Sequence, residues 1–270
     1  YPSNFRCQYD LDKFLKDHNV VGLCSIDTRQ VTRIIREHGV MNAAICDSVP
    51  EDLSFIKNYS IKDAVPSVSR REKTVYPAEN EKYRVALIDY GAKNYIIKSL
   101  QFRGCSVTVF PATTSAEEIL AFAPDGLVLP NGPGDPAENK YQIEQLEKLL
   151  GRLPIFGICL GHQLLALVAG SRTIKLKYGH RGANQPVRDL FGTRTYITSQ
   201  NHGYAVDNSS IKCGVPMFQN ANDGTCEGID YPDLKAFSVQ FHPEASAGPL
   251  DTSFLFDRFT RMMDVEGGSR

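Results

Sequence analysis

The sequence has no excess of charge of either sign. Its 30 basic and 31 acidic side chains leave a formal net charge of −1 over 270 residues. Proteins that track nucleic-acid backbones carry a basic patch or stripe, so this balance argues against nucleic acid as a partner. No apolar run is long enough to cross a bilayer, and no signal-peptide segment opens the chain, so no membrane role is expected. The seven cysteines are scattered, odd in number and include no C-x-x-C pair. They offer neither a zinc site nor a disulfide framework, and they fit a reduced, cytoplasmic setting with no metal held by this chain. No G-x-x-x-x-G-K-[ST] loop is present to cradle a nucleotide. Internal repeats and low-complexity tracts are missing as well. The first residue is Tyr1 rather than methionine, so the chain is expected to be a fragment of a longer product.

What is present falls into two parts. Residues 1–65 hold a helix near Leu11–His18 and a second near Thr28–His38. Asp27 is placed to cap the second helix and Gly39 to stop it. Val31, Ile34 and Ile35 recur at helical spacing, so this helix is expected to bury one face. Residues 66–82, PSVSRREKTVYPAENEK, read as a linker with a solvated charge run. From Tyr83 the pattern alternates. Strands are predicted at Arg84–Asp89, Ser106–Phe110, Gly126–Leu129 and Pro154–Ile158, and helices at Lys93–Arg103, Ala116–Phe122 and Gln142–Leu150. That alternation implies an α/β fold, a mostly parallel sheet flanked by helices. After Gly170, residues 172–240 read as an antiparallel extension.

Three segments carry chemistry. Ile155–Gln163, IFGICLGHQ, is an apolar strand, a G-x-C-x-G turn and a helix start. Such a strand–turn–helix elbow lifts one side chain out of the fold, and here that side chain is the Cys159 thiol. Ala236–Glu244, AFSVQFHPE, is a strand ending in His-Pro-Glu. Alternate strand residues share a face, so His242 and Glu244 are expected to meet one site as base and orienter. Pro130–Pro136, PNGPGDP, follows a third apolar strand. Gly132 and Gly134 offer N–H groups unscreened by side chains, which suits an oxyanion. Taken singly, a lone cysteine is more often a core residue, and such a loop more often a turn. It is their coexistence that favours catalysis.

The elbow GICLGHQLLA, the loop NGPGDP and the terminal QFHPE resemble a class I (triad) glutamine amidotransferase domain. YGHRGANQP at 178–186, SQNHGYAV at 199–206, EASAGP at 244–249 and the stretch IDTRQVTRIIREHG at 26–39 are similar to the small subunit of carbamoyl-phosphate synthetase. The resemblance implies that residues 83–265 are the glutaminase domain. Residues 1–65 would then be the C-terminal part of a smaller α+β domain that precedes it. It implies Cys159, His242 and Glu244 as the triad, with Gly132 and Gly134 at the oxyanion and glutamine site. It implies Leu160 and Gln163 as further glutamine contacts, with Asn201, Gly203 and Tyr204 at the amino-acid end of the substrate. His202 is expected to be structural. A serine that this family uses from earlier in its N-terminal domain has no counterpart here. The oxyanion is expected against N–H groups near Gly132 and Gly161.

The implied partners are L-glutamine and a large synthetase subunit, forming a heterodimer. That larger chain would use ATP and Mg²⁺ to make carbamoyl phosphate for arginine or pyrimidine biosynthesis, and no cofactor is assigned to this chain. Three other readings stand beside this one. The first is an amidotransferase serving another synthesis, which the 26–39 stretch disfavours. The second is a thiol esterase of the α/β-hydrolase type, which places its acid before its histidine. The third is a non-catalytic regulatory subunit, which an intact triad disfavours.

Overall fold

The computed structural model describes residues 2–5, 7–246 and 248–267; Tyr1 and Ala247 of the segments quoted above lie outside them. The chain divides into two compact units, 1–60 and 61–270.

The first unit carries α1 (Leu11–Asp17), α2 (Thr28–His38) and α3 (Ser54–Lys57), and no strand among the described residues. Asp10 caps α1 through Lys13 N at 2.8 Å, and Asp27 caps α2 through Gln30 N at 2.9 Å. Gly39 ends α2 with φ 89°, its N–H closing on Ile35 O at 2.8 Å. These are the ends the sequence set. The expected burial of one α2 face is not met: no α2 residue is buried, and Val31 stays 46 % exposed. The short helices of this unit supply no sheet or long helix against which such a stripe could pack.

The second unit is built on one sheet. Its members are β1 (Thr74–Tyr76), β2 (Tyr83–Asp89), β3 (Cys105–Pro111), β4 (Gly126–Leu129), β5 (Ile155–Ile158), β6 (Thr173–Asp189), β7 (Thr195–Val206), β8 (Val215–Asn220), β9 (Cys226–Tyr231) and β10 (Ala236–Val239). Their order is β1-β3-β2-β4-β5-β10-β9-β8-β6-β7. From β3 to β10 every pairing is parallel. Val85, Ala86, Leu87, Leu127, Val128 and Leu129 are all fully buried, as strands covered on both faces require. The covering helices are α4 (Ala64–Val68), α5 (Asn94–Gln101), α6 (Ala116–Phe122), α7 (Lys140–Leu149), α8 (Leu160–Val168) and α9 (Phe254–Gly267). Phe156 stacks on Phe237 at 4.4 Å between ring centroids, and Phe256 and Phe259 of α9 close over Phe156 at 5.5 and 6.0 Å.

Two expectations change. The stretch 66–82 is not featureless: it holds the end of α4, and Thr74–Tyr76 pairs antiparallel with β3 as an edge strand. Its polar composition reflects that edge position, where one side of the ladder faces water. The antiparallel extension stops at Tyr231. The last strand, β10, turns back to pair parallel with β5 from Ala236↔Ile155 to Val239↔Ile158. The residues following β5 and β10 are therefore neighbours in space.

Candidate active site

That pairing builds the site. Cys159 follows β5, and its N–H donates to Val239 O at 2.8 Å, tying the elbow to the end of β10. Cys159 has φ 53° and ψ −100°, an unusual conformation for a residue with a Cβ, held in place by the turn around it. The turn demands glycine on both sides. A Cβ on Gly157 would lie 2.8 Å from the Gly161 carbonyl oxygen, and one on Gly161 would strike the Leu129 carbonyl oxygen. Three residues past β10, His242 N donates to Ser199 O at 2.9 Å, which anchors it to β7.

Cys159, His242 and Glu244 come together as the sequence indicates, being 5 %, 3 % and 2 % exposed. His242 Nδ1 meets Glu244 Oε1 at 2.8 Å, and the ring hydrogen-bonds the Cys159 thiol on its other side. Burial opposes a charged His242 ring, yet the Cys159 sulfur and the Glu244 carboxylate outweigh it and raise its pKa to about 9. Burial likewise opposes a charged Glu244, but His242 and then Lys93 hold its pKa below the ordinary carboxylate value. Sequence reasoning misses Lys93. Its Nζ lies 3.3 Å from Glu244 Oε1, the same oxygen that receives His242. It follows the C-terminal end of β2, on the rim where parallel sheets place their ligands, and that rule could have pointed to it.

Gly132, Gly134, Gln163, Asn201, Gly203 and Tyr204 line one cleft of about 380 Å³ with Cys159 and His242. Lys93, Asn131 and Arg181, not singled out in the sequence, line it too. Asn131 fixes the loop, accepting from Lys93 N at 3.1 Å and donating to Gly91 O at 2.9 Å. Leu160 does not face the cleft. Its side chain is 1 % exposed in the core and packs beneath Gly132. What it offers is its N–H, at the first position of α8, where helical N–H groups have no intrahelical acceptor.

The expectation for Gly161 is corrected. Its N–H already donates to Pro130 O at 3.1 Å and is not available to an oxyanion. The N–H groups of Leu160 and Gly132 have no acceptor among the described residues. Gln163 is only partly free: its Nε2 donates to Tyr204 O at 2.8 Å and to Gln240 Oε1 at 2.9 Å, which leaves its oxygen. His202 is buried with oxygens at both ring nitrogens, as a structural residue would be. His162, next to the elbow, is fully buried against Ser238 Oγ at 2.8 Å, and burial lowers its pKa to about 3.

The arrangement is a thiol nucleophile, a buried base with its orienter, and two open N–H donors above a cleft. It is the apparatus of acyl transfer from a small amide or ester. Comparisons with known proteins agree. Residues 86–262 match the family model for glutamine amidotransferase class-I, and residues 1–45 match that for the CPSase domain of the carbamoyl-phosphate synthase small chain. Among solved structures, a GMP synthase subunit from Thermoplasma acidophilum shares the fold. Its TM-score is 0.61 at 21 % identity, covering 70 % of this chain and 98 % of that one. The chain belongs to the class-I glutamine amidotransferases. Within them its relatives are specific. The carbamoyl phosphate synthase small chain of Oceanobacillus iheyensis is 49 % identical, covering 97 % of this chain and 73 % of that protein. That of Staphylococcus haemolyticus is 47 % identical over the same shares. The family is therefore that of the carbamoyl phosphate synthase small chains.

Proposed function

We propose that this chain hydrolyses the side-chain amide of L-glutamine and hands the ammonia to a large synthetase subunit. That partner would combine it with bicarbonate, using ATP and Mg²⁺, to make carbamoyl phosphate. The observation that carries the reading is the buried Cys159–His242–Glu244 constellation, opening on a cleft large enough for an amino acid.

The chemistry follows from the geometry. The Cys159 thiolate adds to the amide carbon, and the oxyanion forms against the Gly132 and Leu160 N–H groups. Collapse of the tetrahedral adduct breaks the C–N bond, and the His242 imidazolium gives its proton to the departing nitrogen, which leaves as ammonia. Water then adds to the γ-glutamyl thioester while His242 takes its proton. Expulsion of the thiolate yields glutamate and restores the imidazolium. A raised His242 pKa suits the first half of this cycle, because the ring must be charged when ammonia leaves. Glu244 holds the ring with Nε2 toward sulfur, and Lys93 keeps Glu244 ionised. Free ammonia is protonated in neutral water and loses its nucleophilicity, which is the chemical reason to couple the site to a partner.

The working unit is a heterodimer in the cytoplasm. Support for the setting comes from the cysteine pattern and from the finding that no helix among the described residues is long and apolar enough to cross a membrane. Support for the partner comes from the small-chain relatives. The test is to incubate the chain with glutamine, with and without the large subunit, and to measure glutamate, ammonia and carbamoyl phosphate. Absence of glutamate release in both mixtures refutes the reading.

A further inference from the structure

Behind the glutamine cleft lies a second cluster of titratable side chains that the triad chemistry does not use. Glu227 on β9 is fully buried. Its Oε1 lies 3.3 Å from His180 Nδ1, an ion pair rather than an aligned hydrogen bond, and also receives Asn220 Nδ2 at 3.3 Å. Its Oε2 receives Gln200 Nε2 at 3.0 Å. The other nitrogen of His180 meets Asp223 Oδ2 at 2.8 Å. Burial disfavours a charged His180, but Glu227 and Asp223 prevail and raise its pKa to about 9, so it is a cation at neutral pH. A buried carboxylate without such a partner would be costly.

The cluster leads to the cleft. Gln200, its amide nitrogen held by Glu227, turns its oxygen to His202 Nε2 at 3.1 Å. His202 Nδ1 meets Tyr204 O at 2.8 Å, and that carbonyl also receives Gln163 Nε2 from the elbow helix. Burial keeps His202 neutral, with a pKa near 4. A neutral imidazole has one N–H, so the side of Gln200 it meets decides where that hydrogen sits. The His202 ring packs edge-on to His180 at 4.9 Å between centroids, directly across the β6–β7 ladder. His180, His202 and Glu227 place donor atoms within 4.8 Å of one another, a spacing a metal could use. Here, however, both nitrogens of each ring already face oxygens, which makes the cluster a hydrogen-bonded and ion-paired chain. That chain runs Asp223–His180–Glu227–Gln200–His202–Tyr204 and ends on the residues that border the cleft.

We infer that His180 and Glu227 are positioning residues for substrate binding: their buried ion pair orients Gln200, which sets the His202 ring and holds the Asn201–Tyr204 rim in the shape that accepts glutamine. This rests on the glutaminase reading and goes beyond it, since neither residue touches the cleft. The assignment separates binding from chemistry. The triad stands on β5 and β10, while the chain described here acts on β7.

The test uses the variant Glu227→Gln, which keeps volume and removes the charge, in the complex with the large subunit. Two readouts are needed: steady-state glutamine hydrolysis, and alkylation of Cys159 by iodoacetamide or by a chloromethyl ketone built on the glutamine skeleton. Iodoacetamide needs only the thiol and its base, whereas the ketone needs the rim. The expected result is a KM for glutamine raised about tenfold, the scale of one well-made hydrogen bond lost, with kcat within about threefold of the parent. The ketone should slow by a similar factor, and iodoacetamide should not. Gln200→Met, which changes no charge, carries the same expectation and decides the matter where Glu227→Gln does not fold. Unchanged KM in folded variants overturns the inference, as does a parallel fall in both alkylation rates with kcat. If the parent chain itself neither hydrolyses glutamine nor prefers the ketone, the glutaminase reading fails and takes this one with it. A selective parent with unaltered variants sinks the positioning role alone.

Discussion

Gly132→Ala tests the oxyanion assignment more sharply than any triad substitution. Gly132 has no positive φ, so alanine brings no backbone strain of the left-handed kind, and its effect is one of space. The new Cβ would sit 2.5 Å from Tyr90 O and 2.5 Å from Leu160 Cδ2. Ordinary contact lies near 3.3 Å, so the loop must retreat by roughly 0.8 Å. Tyr90 is fully buried, and Leu160 opens the elbow helix, so neither yields easily. The retreat moves the Gly132 N–H away from the nascent oxyanion and disturbs Leu160, the other donor. Loss of one oxyanion donor costs about 3 kcal/mol, roughly a hundredfold to a thousandfold in kcat. KM should change much less, since the ground-state carbonyl leans little on that donor. The assay is glutamate release by the assembled complex at saturating glutamine. Carbamoyl phosphate formation from added ammonia, which bypasses the site, serves as the folding control. Gly151→Ala is the companion, since nothing lies within 4 Å of its Cβ and its φ of 77° brings only local strain. It should leave kcat unaltered. A Gly132→Ala enzyme with kcat within threefold of the parent would show that the donor lies elsewhere.

Cys159→Ser should lower glutamine-dependent synthesis by at least about a thousandfold while ammonia-dependent synthesis persists; near-parent glutamine use would remove Cys159 as nucleophile. His242→Asn should cost at least about tenfold more in kcat than Glu244→Gln, because a misoriented base still acts part of the time; equal and negligible losses would dissolve the triad. Lys93→Met should move the acid limb of the kcat profile upward, since Lys93 helps hold the Glu244 pKa down, and an unmoved limb measured between pH 4 and 7 would deny the contact its role. On the alkaline side the His242 pKa is raised above its ordinary 6.5 to about 9. The imidazolium is therefore complete below about 6.5 and lost as pH rises through about 9, so kcat should fall there; a profile flat to pH 10 would refute the charged ring.

The parallel half of the fold was legible because it is local in sequence. Gly126–Leu129 and Ala116–Phe122 have the bounds their apolar spacing gives, and the other strands and helices of this half shift by a residue or two. The second half was legible only in outline. β10 reads like any short apolar strand, yet it pairs parallel with β5, 81 positions earlier at Ala236↔Ile155. No local pattern specifies that partner. Burial does, because four consecutive buried residues, Ala236–Val239, need cover on both edges and both faces. The edge strand β1 was lost for the opposite reason: half wet and three residues long, it shares the composition of a linker.

The same distinction divides the site. Cys159 was visible through the glycines that its elbow demands, and His242 with Glu244 through a stiff two-residue spacing at a strand end. Those signals sit beside the residues they announce. Lys93, 151 positions from Glu244, announces nothing locally, because its meaning comes from where β2 ends. Glu227 goes further: in the sequence it is one of 31 acidic residues, and only burial on β9, opposite a histidine from β6, turns it into a charge that must be answered. A catalytic elbow constrains its own backbone and so marks its own sequence. A charge buried between strands constrains its partners instead, and is read only once the sheet has assembled them.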